Sequence, residues 1–172
     1  QVLLEGHWAR ANPQACLPDG DAPDGDADAR ARVLVDGPHG YISASWYPDK
    51  VQAARVPTWN YAAAELTGTL QRLDDPDALA DLVARLAAHY EDDVGQVWRF
   101  DAGNPREAAQ LRGITGFRFV ATDVQITLKL SQNHPEANQL AAIAELEQLG
   151  RPASIELAQW MRLLRETTAA GG

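Results

Sequence analysis

Aromatic side chains are concentrated in one short window of the sequence. Five of the nine Trp and Tyr residues lie between positions 41 and 61, namely Tyr41, Trp46, Tyr47, Trp59 and Tyr61. Flat rings can stack on a planar heterocycle, and the polar side chains interleaved with them can hydrogen-bond its rim. A well-packed aromatic core would have the same composition. The window therefore predicts either a binding surface for a planar ligand or a core, and composition alone does not distinguish the two.

Signatures of the common enzyme classes are absent from the sequence. It contains no GxSxG, GxGxxG, GxxxxGK, HExxH or CxxC motif. The four histidines, His7, His39, His89 and His134, are far apart, and we expect surface or structural roles for them rather than a metal site. No side chain is identified as a catalytic acid or base, so the sequence leaves open whether the protein is an enzyme.

Composition predicts a globular protein with one main core. The chain has 172 residues, of which 45% are apolar and 23% are charged. The net charge of −9 provides no general attraction for nucleic acid. A single cysteine, Cys16, cannot form an internal disulfide, which favours a cytoplasmic protein. No run of about 18 apolar residues is present, so we expect no membrane span.

Along the first 130 residues, several strand patterns are followed by two helix patterns and then by a further strand pattern. Residues 2–9, 32–37, 40–45 and 56–73 are predicted to be strands. Asp75 and Pro76 predict the start of an amphipathic helix that lies on the sheet, and Asn104 and Pro105 predict a shorter helix that ends at Gly113. Residues 114–130 predict one or two long strands.

An acidic segment separates the first two predicted strands. Residues 16–29 are rich in Asp, Gly, Pro and Ala and are predicted to form a solvated loop. Asp24, Asp26 and Asp28 resemble the start of a calcium-binding loop, but Ala29 and Val35 stand where that loop needs Gly and Glu. A calcium site is therefore not predicted.

The last forty residues predict two helices joined by a short turn at Gly150 and Pro152. Such a pair is also the outline of a DNA-binding helix-turn-helix. From position 136 onward, however, there are five acidic and three basic residues, whereas a DNA-reading helix presents a basic surface. We therefore expect packing or a dimer contact from this hairpin rather than DNA recognition.

Four ordered blocks resemble a known family. They are GHWARANPQ at 6–14, GPHGYISASWYPDK at 37–50, VPTWNYAAAELTG at 56–68 and KLSQNHPEAN at 129–138. Their order and spacing resemble the FMN-binding negative transcriptional regulators of the PaiB type. The resemblance departs at Ala15, Ala44 and Glu65, where the family usually has Trp, Pro and His. The acidic loop is an insertion, and we expect the first strands of the family to lie upstream of residue 1.

The resemblance implies an α+β fold. Its centre is an antiparallel split β-barrel of the FMN-binding type, as in flavin reductases and pyridoxamine phosphate oxidases, with flanking helices and a C-terminal helical hairpin. Residues 1–134 would form the barrel domain, and residues 135–172 the hairpin packed on it. The family is usually dimeric, with FMN expected between the subunits.

The resemblance also implies a set of FMN-binding residues. The phosphate would be held by a cation, and the candidates are Arg10, Lys50 and Lys129. Asn12 accompanies Arg10, and Ser131 and Gln132 accompany Lys129. The isoalloxazine ring would stack on Trp46, Tyr47 and Trp59, with Ser43 and Asn60 at its rim. Each aromatic residue could equally hold a strand corner in place.

The leading hypothesis is a cytoplasmic, homodimeric FMN-binding regulator of transcription. The acidic charge does not support direct DNA contact, and no membrane partner is expected. One alternative is a flavin-dependent oxidoreductase of the pyridoxamine phosphate oxidase-like superfamily, in which the cofactor carries the redox step. Another is a dimeric interaction module that binds no flavin. Haem held by His7 or His39 is a minor option.

Overall fold

The computed structural model describes residues 2–15 and 29–170, with side chains as far as residue 167. The predicted acidic loop lies outside the described residues except for its last position. Within the described part of the chain, no helix is long and apolar enough to cross a membrane.

The described residues contain four strands and four helices, in the order of three strands, two helices, one strand and two helices. The strands are β1 (Leu3–Ala9), β2 (Ala29–Ile42), β3 (Thr58–Leu73) and β4 (Ile114–Lys129). The helices are α1 (Pro76–Asp93), α2 (Pro105–Ala108), α3 (Glu136–Gln148) and α4 (Pro152–Ala170). Short 3-10 turns cover Pro13–Ala15, Ala44–Trp46 and Ala109–Gly113. The predicted fold class is confirmed: an antiparallel sheet with flanking helices and a C-terminal helical hairpin.

The strands form one sheet in the order β1-β4-β3-β2. β1 and β4 are antiparallel, and their register runs from the pair Leu3 and Val120 to the pair Ala9 and Ile114. Residues 114–130 were predicted as one or two strands, and residues 114–129 form the single strand β4.

The prediction of two separate strands over 32–37 and 40–45 is wrong. Residues 29–42 form one continuous strand, and residues 44–46 form a 3-10 turn. Gly37 and Pro38 indicated a break, but β2 stands at the end of the strand order, and an edge strand accommodates proline because its N–H is not needed by a neighbour. Packing favours glycine at position 37, because a Cβ there would lie only 3.0 Å from the carbonyl oxygen of Ala62.

The chain divides into two compact units. The first unit comprises residues 1–33 and 66–123. Its helix α1 begins as predicted: the Asp75 carboxylate accepts from the N–H groups of Asp77 and Ala78, and Pro76 fills the first turn. Leu79 and Leu82 are buried, and Leu79 lies against Gly116, where a Cβ would be 2.8 Å from its side chain. The predicted amphipathic helix on a sheet is therefore confirmed.

The second unit comprises residues 34–65 and 124–172. Its core joins the strands to α3 and α4 through the buried residues Ile42, Tyr47, Leu130, Ile143, Leu146, Leu157 and Met161. The two helices contact each other along their length and are joined by Gly150, whose φ of +65° favours glycine. The predicted domain boundary at residue 134 stays a prediction.

Candidate functional site

A buried hydrogen bond holds the start of β3 against the end of β4 in the second unit. The Asn60 amide donates to the Ser131 hydroxyl over 2.9 Å, and both side chains are almost completely buried. Asn60 also lies 3.6 Å from the sulfur of Met161 on α4. Because β3 and β4 are neighbours in the sheet, Trp59 and Lys129 lie at the same end of adjacent strands.

Trp59 presents an aromatic surface at this end of the sheet. Half of its surface is exposed, and its ring stacks on His39 of β2 with 5.8 Å between ring centroids and 25° between planes. Tyr41, also on β2, is 51% exposed. Successive strand residues point to opposite faces, and the neighbouring Asn60 faces the core. Trp59 therefore lies on the open face, where a planar ligand can stack on it.

Lys129 supplies an uncommitted positive charge to the same face. It is exposed, while Leu128 and Leu130 on either side of it pack on the core. Strand alternation therefore directs its side chain away from the core, as it does for Trp59. Within residues 2–15 and 29–170, the Lys129 ammonium has neither a hydrogen-bond nor an ion-pair partner. It is available for an anion.

The polar side chains that follow Lys129 already form hydrogen bonds within the protein. The Gln132 side chain accepts from the N–H of Leu130 over 2.7 Å and donates to the carbonyl of Leu128 over 2.6 Å. Ser131 is bonded to Asn60 and has a φ of +61°, an uncommon conformation for serine. These two side chains fix the end of β4, and a role for them as phosphate donors stays a prediction.

The loop between β2 and β3 is held by its own side chains. The Ser43 hydroxyl accepts from the N–H of Ser45 over 3.2 Å and shares a 2.6 Å hydrogen bond with its hydroxyl. The Lys50 ammonium donates to the carbonyl of Ser45 over 2.8 Å. Trp46 is half-buried against the core, and Tyr47 is fully buried in it. Ligand contacts by these four predicted site residues stay predictions.

Asp49 ties this loop to α3. The Arg55 guanidinium donates to both carboxylate oxygens at 2.5 to 3.2 Å, and the Asn138 amide donates to one of them over 2.7 Å. Chiefly through Arg55, these bonds lower the pKa of Asp49 from 3.8 to about 2. The sequence analysis missed this cluster, although Asp49 and Asn138 both lie within the blocks that resemble the family.

Two buried polar atoms near the loop have no hydrogen-bond partner within the described residues. They are the Tyr47 hydroxyl and His134 Nδ1. The two rings stack on each other with 4.7 Å between centroids. Burial lowers the pKa of His134 and favours its neutral form, and the nearby charge of Arg55 acts in the same direction.

Arg10 and Asn12 belong to the first unit. The Arg10 guanidinium donates to the carbonyl of Ile114 over 3.1 Å. It also lines a cavity of about 360 Å³ together with Asp74, Asp77 and Arg112. The Asn12 side chain accepts from the N–H of Gln14 and closes a local turn. The other nine predicted site residues all belong to the second unit, whereas Arg10 and Asn12 belong to the first.

The chemistry at the shared end of β3 and β4 fits FMN. FMN combines a planar ring system with a phosphate dianion, and the open face offers an exposed indole ring and an exposed ammonium group. His39 was not predicted as part of the FMN site. Its spacing of two residues from Tyr41 on β2 places both side chains on one face of the strand, and this spacing could have indicated its role. In the described part of the chain, no group of three or more His, Cys, Asp or Glu side chains is arranged to hold a metal ion.

Comparisons with known proteins agree with this chemistry. The model of a family described as "Putative FMN-binding domain" matches residues 1–123. The chain is 32% identical to Protease synthase and sporulation protein PAI 2 of Bacillus subtilis, over 92% of this chain and 71% of that protein. It is 25% identical to the Uncharacterized protein AN0679 of Emericella nidulans, over 93% of this chain and 72% of that protein.

A solved structure is also similar. It is the conserved hypothetical protein Rv2991 from Mycobacterium tuberculosis, with a TM-score of 0.43 and 14% identity over 78% of this chain. The match spans 66% of that protein's chain. From the family match and the Bacillus relative, the chain belongs to the FMN-binding domain family, whose cofactor is FMN.

Proposed function

We propose that the protein is a cytoplasmic negative regulator of transcription that binds FMN at the interface of a homodimer. The observation that carries the proposal is the presence of an exposed aromatic surface, Trp59 stacked on His39, and the exposed ammonium of Lys129 at one end of the sheet. The regulatory part is supported by the similarity to the Bacillus relative, which is named as a protease synthase and sporulation protein.

In this proposal Trp59 stacks on the isoalloxazine ring, and Lys129 holds the phosphate. A phosphate-binding role for Arg10 and Asn12, which belong to the first unit, stays a separate prediction. Trp46 contributes the exposed part of its ring, while Ser43 and Lys50 become available when they exchange their bonds within the loop for bonds to FMN. Bound FMN supplies the redox-active ring, and the chain orients it and neutralises its charge.

Exposed aromatic rings support the dimer. Tyr41 and Trp59 each leave about half of their surface open to solvent on the same face of the second unit. Aromatic residues are enriched in the buried centres of protein interfaces. A second copy placed over this face would bury the rings and enclose the cofactor.

Titration of purified protein with FMN, followed by quenching of flavin fluorescence, tests the site. We expect saturable binding by the native chain. Lys129→Ala and Trp59→Ala should each raise Kd about tenfold or more, through loss of a charge-assisted contact and of a stacking surface. Arg106→Ala removes an exposed cation elsewhere, and Trp98→Ala removes an indole that is also 50% exposed. Both controls should leave Kd unchanged.

Three further outcomes bear on the proposal. Equal FMN affinity in Lys129→Ala and in the native chain would overturn the phosphate assignment. Sustained NAD(P)H oxidation by the FMN-loaded protein would favour the oxidoreductase instead of the regulator. A gel-shift titration with the protein's own promoter fragment at low and high salt tests direct DNA contact, and absence of a shift at low salt would restrict regulation to an indirect route.

A further inference from the structure

The second unit contains an apolar cavity that the FMN proposal does not use. Its volume is about 360 Å³, and it lies between β2, β3, β4 and α4. Its floor is made of small residues, Gly37 and Ala62–Ala64, while Leu128 and Ile126 form one side. This volume is within the range of small-molecule sites. The small floor leaves space above the strands that large side chains would fill.

Trp160 forms a wall of the cavity. It is on α4 and is 40% exposed, while its neighbours Leu157, Ala158 and Met161 are buried in the core. Glu156 lies four residues earlier, so the two side chains are neighbours on one face of the helix. The indole and the carboxylate therefore border the same space.

The charged residues that line the cavity are both acidic. They are Asp36 on β2 and Glu156 on α4, and none of the basic residues that the structure describes lines it. Within the part of the chain that the structure describes, neither carboxylate has a hydrogen-bond or ion-pair partner. Two uncompensated carboxylates beside an apolar, indole-lined space attract a positive charge and disfavour an anion.

We propose that this cavity binds a small organic cation with an apolar, preferably aromatic, body and a protonated amine. The apolar body contacts Ile126, Leu128 and the ring of Trp160. The ammonium group lies over the indole face and between the carboxylates of Asp36 and Glu156. This site shares no residue with the proposed FMN site, so each can fail without the other.

Isothermal titration calorimetry with 2-(1-naphthyl)ethylamine tests the proposal. The matched probe is 1-naphthylacetate, which keeps the ring and reverses the charge. We expect the amine to bind saturably and the carboxylate not to bind. Glu156→Gln and Asp36→Asn should each weaken amine binding about tenfold, because each removes a charge-assisted contact. Glu166→Gln makes the same change on the same helix away from the cavity and should have no effect.

Thermal unfolding of each variant establishes that it is folded before titration, and Asp36→Asn provides the test if Glu156→Gln unfolds. Equal binding of amine and carboxylate would overturn the proposal, as would unchanged affinity in both acidic variants. Titration at several protein concentrations, combined with light scattering, distinguishes a third outcome. If self-association blocks the amine and Ile126→Asp abolishes that association, a second copy occupies the cavity and the ligand proposal is wrong.

Discussion

One carboxylate joins distant parts of the chain at the candidate site. Asp49 is bonded to Arg55 six residues away and to Asn138 on α3, 89 residues away. The loop that carries the predicted site residues Ser43, Trp46 and Lys50 therefore depends on a contact that only the folded chain provides. The ionised form of Asp49 is the one that makes it.

Asp49 should make stability depend on acid pH. Its pKa is about 2 in the folded chain and 3.8 as the ordinary value, so the folded state favours the ionised form. The stabilisation is complete above about pH 4 and is lost as the pH falls toward 2. Urea unfolding of the native chain and of Asp49→Asn should therefore show a stability difference at pH 7 that shrinks below pH 4. A constant difference across this range would contradict the assignment.

Replacement of His134 by an apolar aromatic residue should stabilise the folded protein. Its Nδ1 is buried without a partner in the described structure, while its ring stacks on Tyr47. His134→Phe keeps the stack and removes the unsatisfied atom, so we expect the free energy of unfolding to rise by about 1 kcal/mol at pH 7. His134→Ala removes the stack and should lower it.

The pH dependence of these variants provides an independent check. The pKa of His134 is lowered in the folded chain, so its neutral form is favoured there. Its contribution is present above the ordinary value of 6.5 and is lost as the pH falls below it. Thermal melts from pH 8 to 5 should show a smaller decline for His134→Phe than for the native chain. Parallel declines would argue against this role.

Residue type alone could not predict which of the candidate site residues are exposed and which are buried. Trp59 and Lys129 lie on the open face, as a ligand-binding role requires. Tyr47 and Asn60 come from the same motifs but are buried under α3 and α4. Whether a tyrosine stacks on a ligand or fills a core depends on helices that lie about 100 residues away in sequence, and a local motif does not contain that information.

At the scale of elements, the local signals predicted helices better than strand boundaries. Asp75 followed by Pro76, and Asn104 followed by Pro105, begin helices because capping is a short-range interaction. The break predicted near Gly37 and Pro38 is absent because the effect of a proline on a strand depends on whether a neighbour needs its N–H. That depends on the order of strands in the sheet, which the sequence around Pro38 does not specify.

A substitution at Gly68 of β3 tests how closely the strands of the first unit pack against each other. A Cβ at this position would lie 2.1 Å from the carbonyl oxygen of Val120 and 2.9 Å from the Cα of Ala121. Both are backbone atoms of β4 and cannot rotate away. Gly68→Ala should therefore lower the free energy of unfolding by about 3 kcal/mol or more.

Gly113 is the matched control for this substitution. Among the described residues, no atom lies within 4 Å of a Cβ placed there. Gly113→Ala should leave the free energy of unfolding within about 0.5 kcal/mol of the native value. If urea unfolding gave the same change in the free energy of unfolding for both substitutions, the close approach of β4 to Gly68 would not be the reason for glycine at this position.

At the scale of the whole molecule, the proposed dimer predicts a mass. Light scattering should give about twice the chain mass of 18.7 kDa. Replacing the exposed ring in Tyr41→Glu should shift the protein toward the monomer, because a carboxylate at a buried interface is costly. A monomer in the native protein, with or without FMN, would contradict the proposed interface.

The pairing of β1 with β4 also affects the order in which the protein can fold. Leu3 faces Val120 across the sheet, so β1 leaves the ribosome well before the strand that it pairs with. Contacts between positions this far apart in sequence raise the contact order and slow folding. During synthesis the apolar residues of β1 stay unpaired until β4 has also emerged, and in this interval a chaperone can protect them from aggregation.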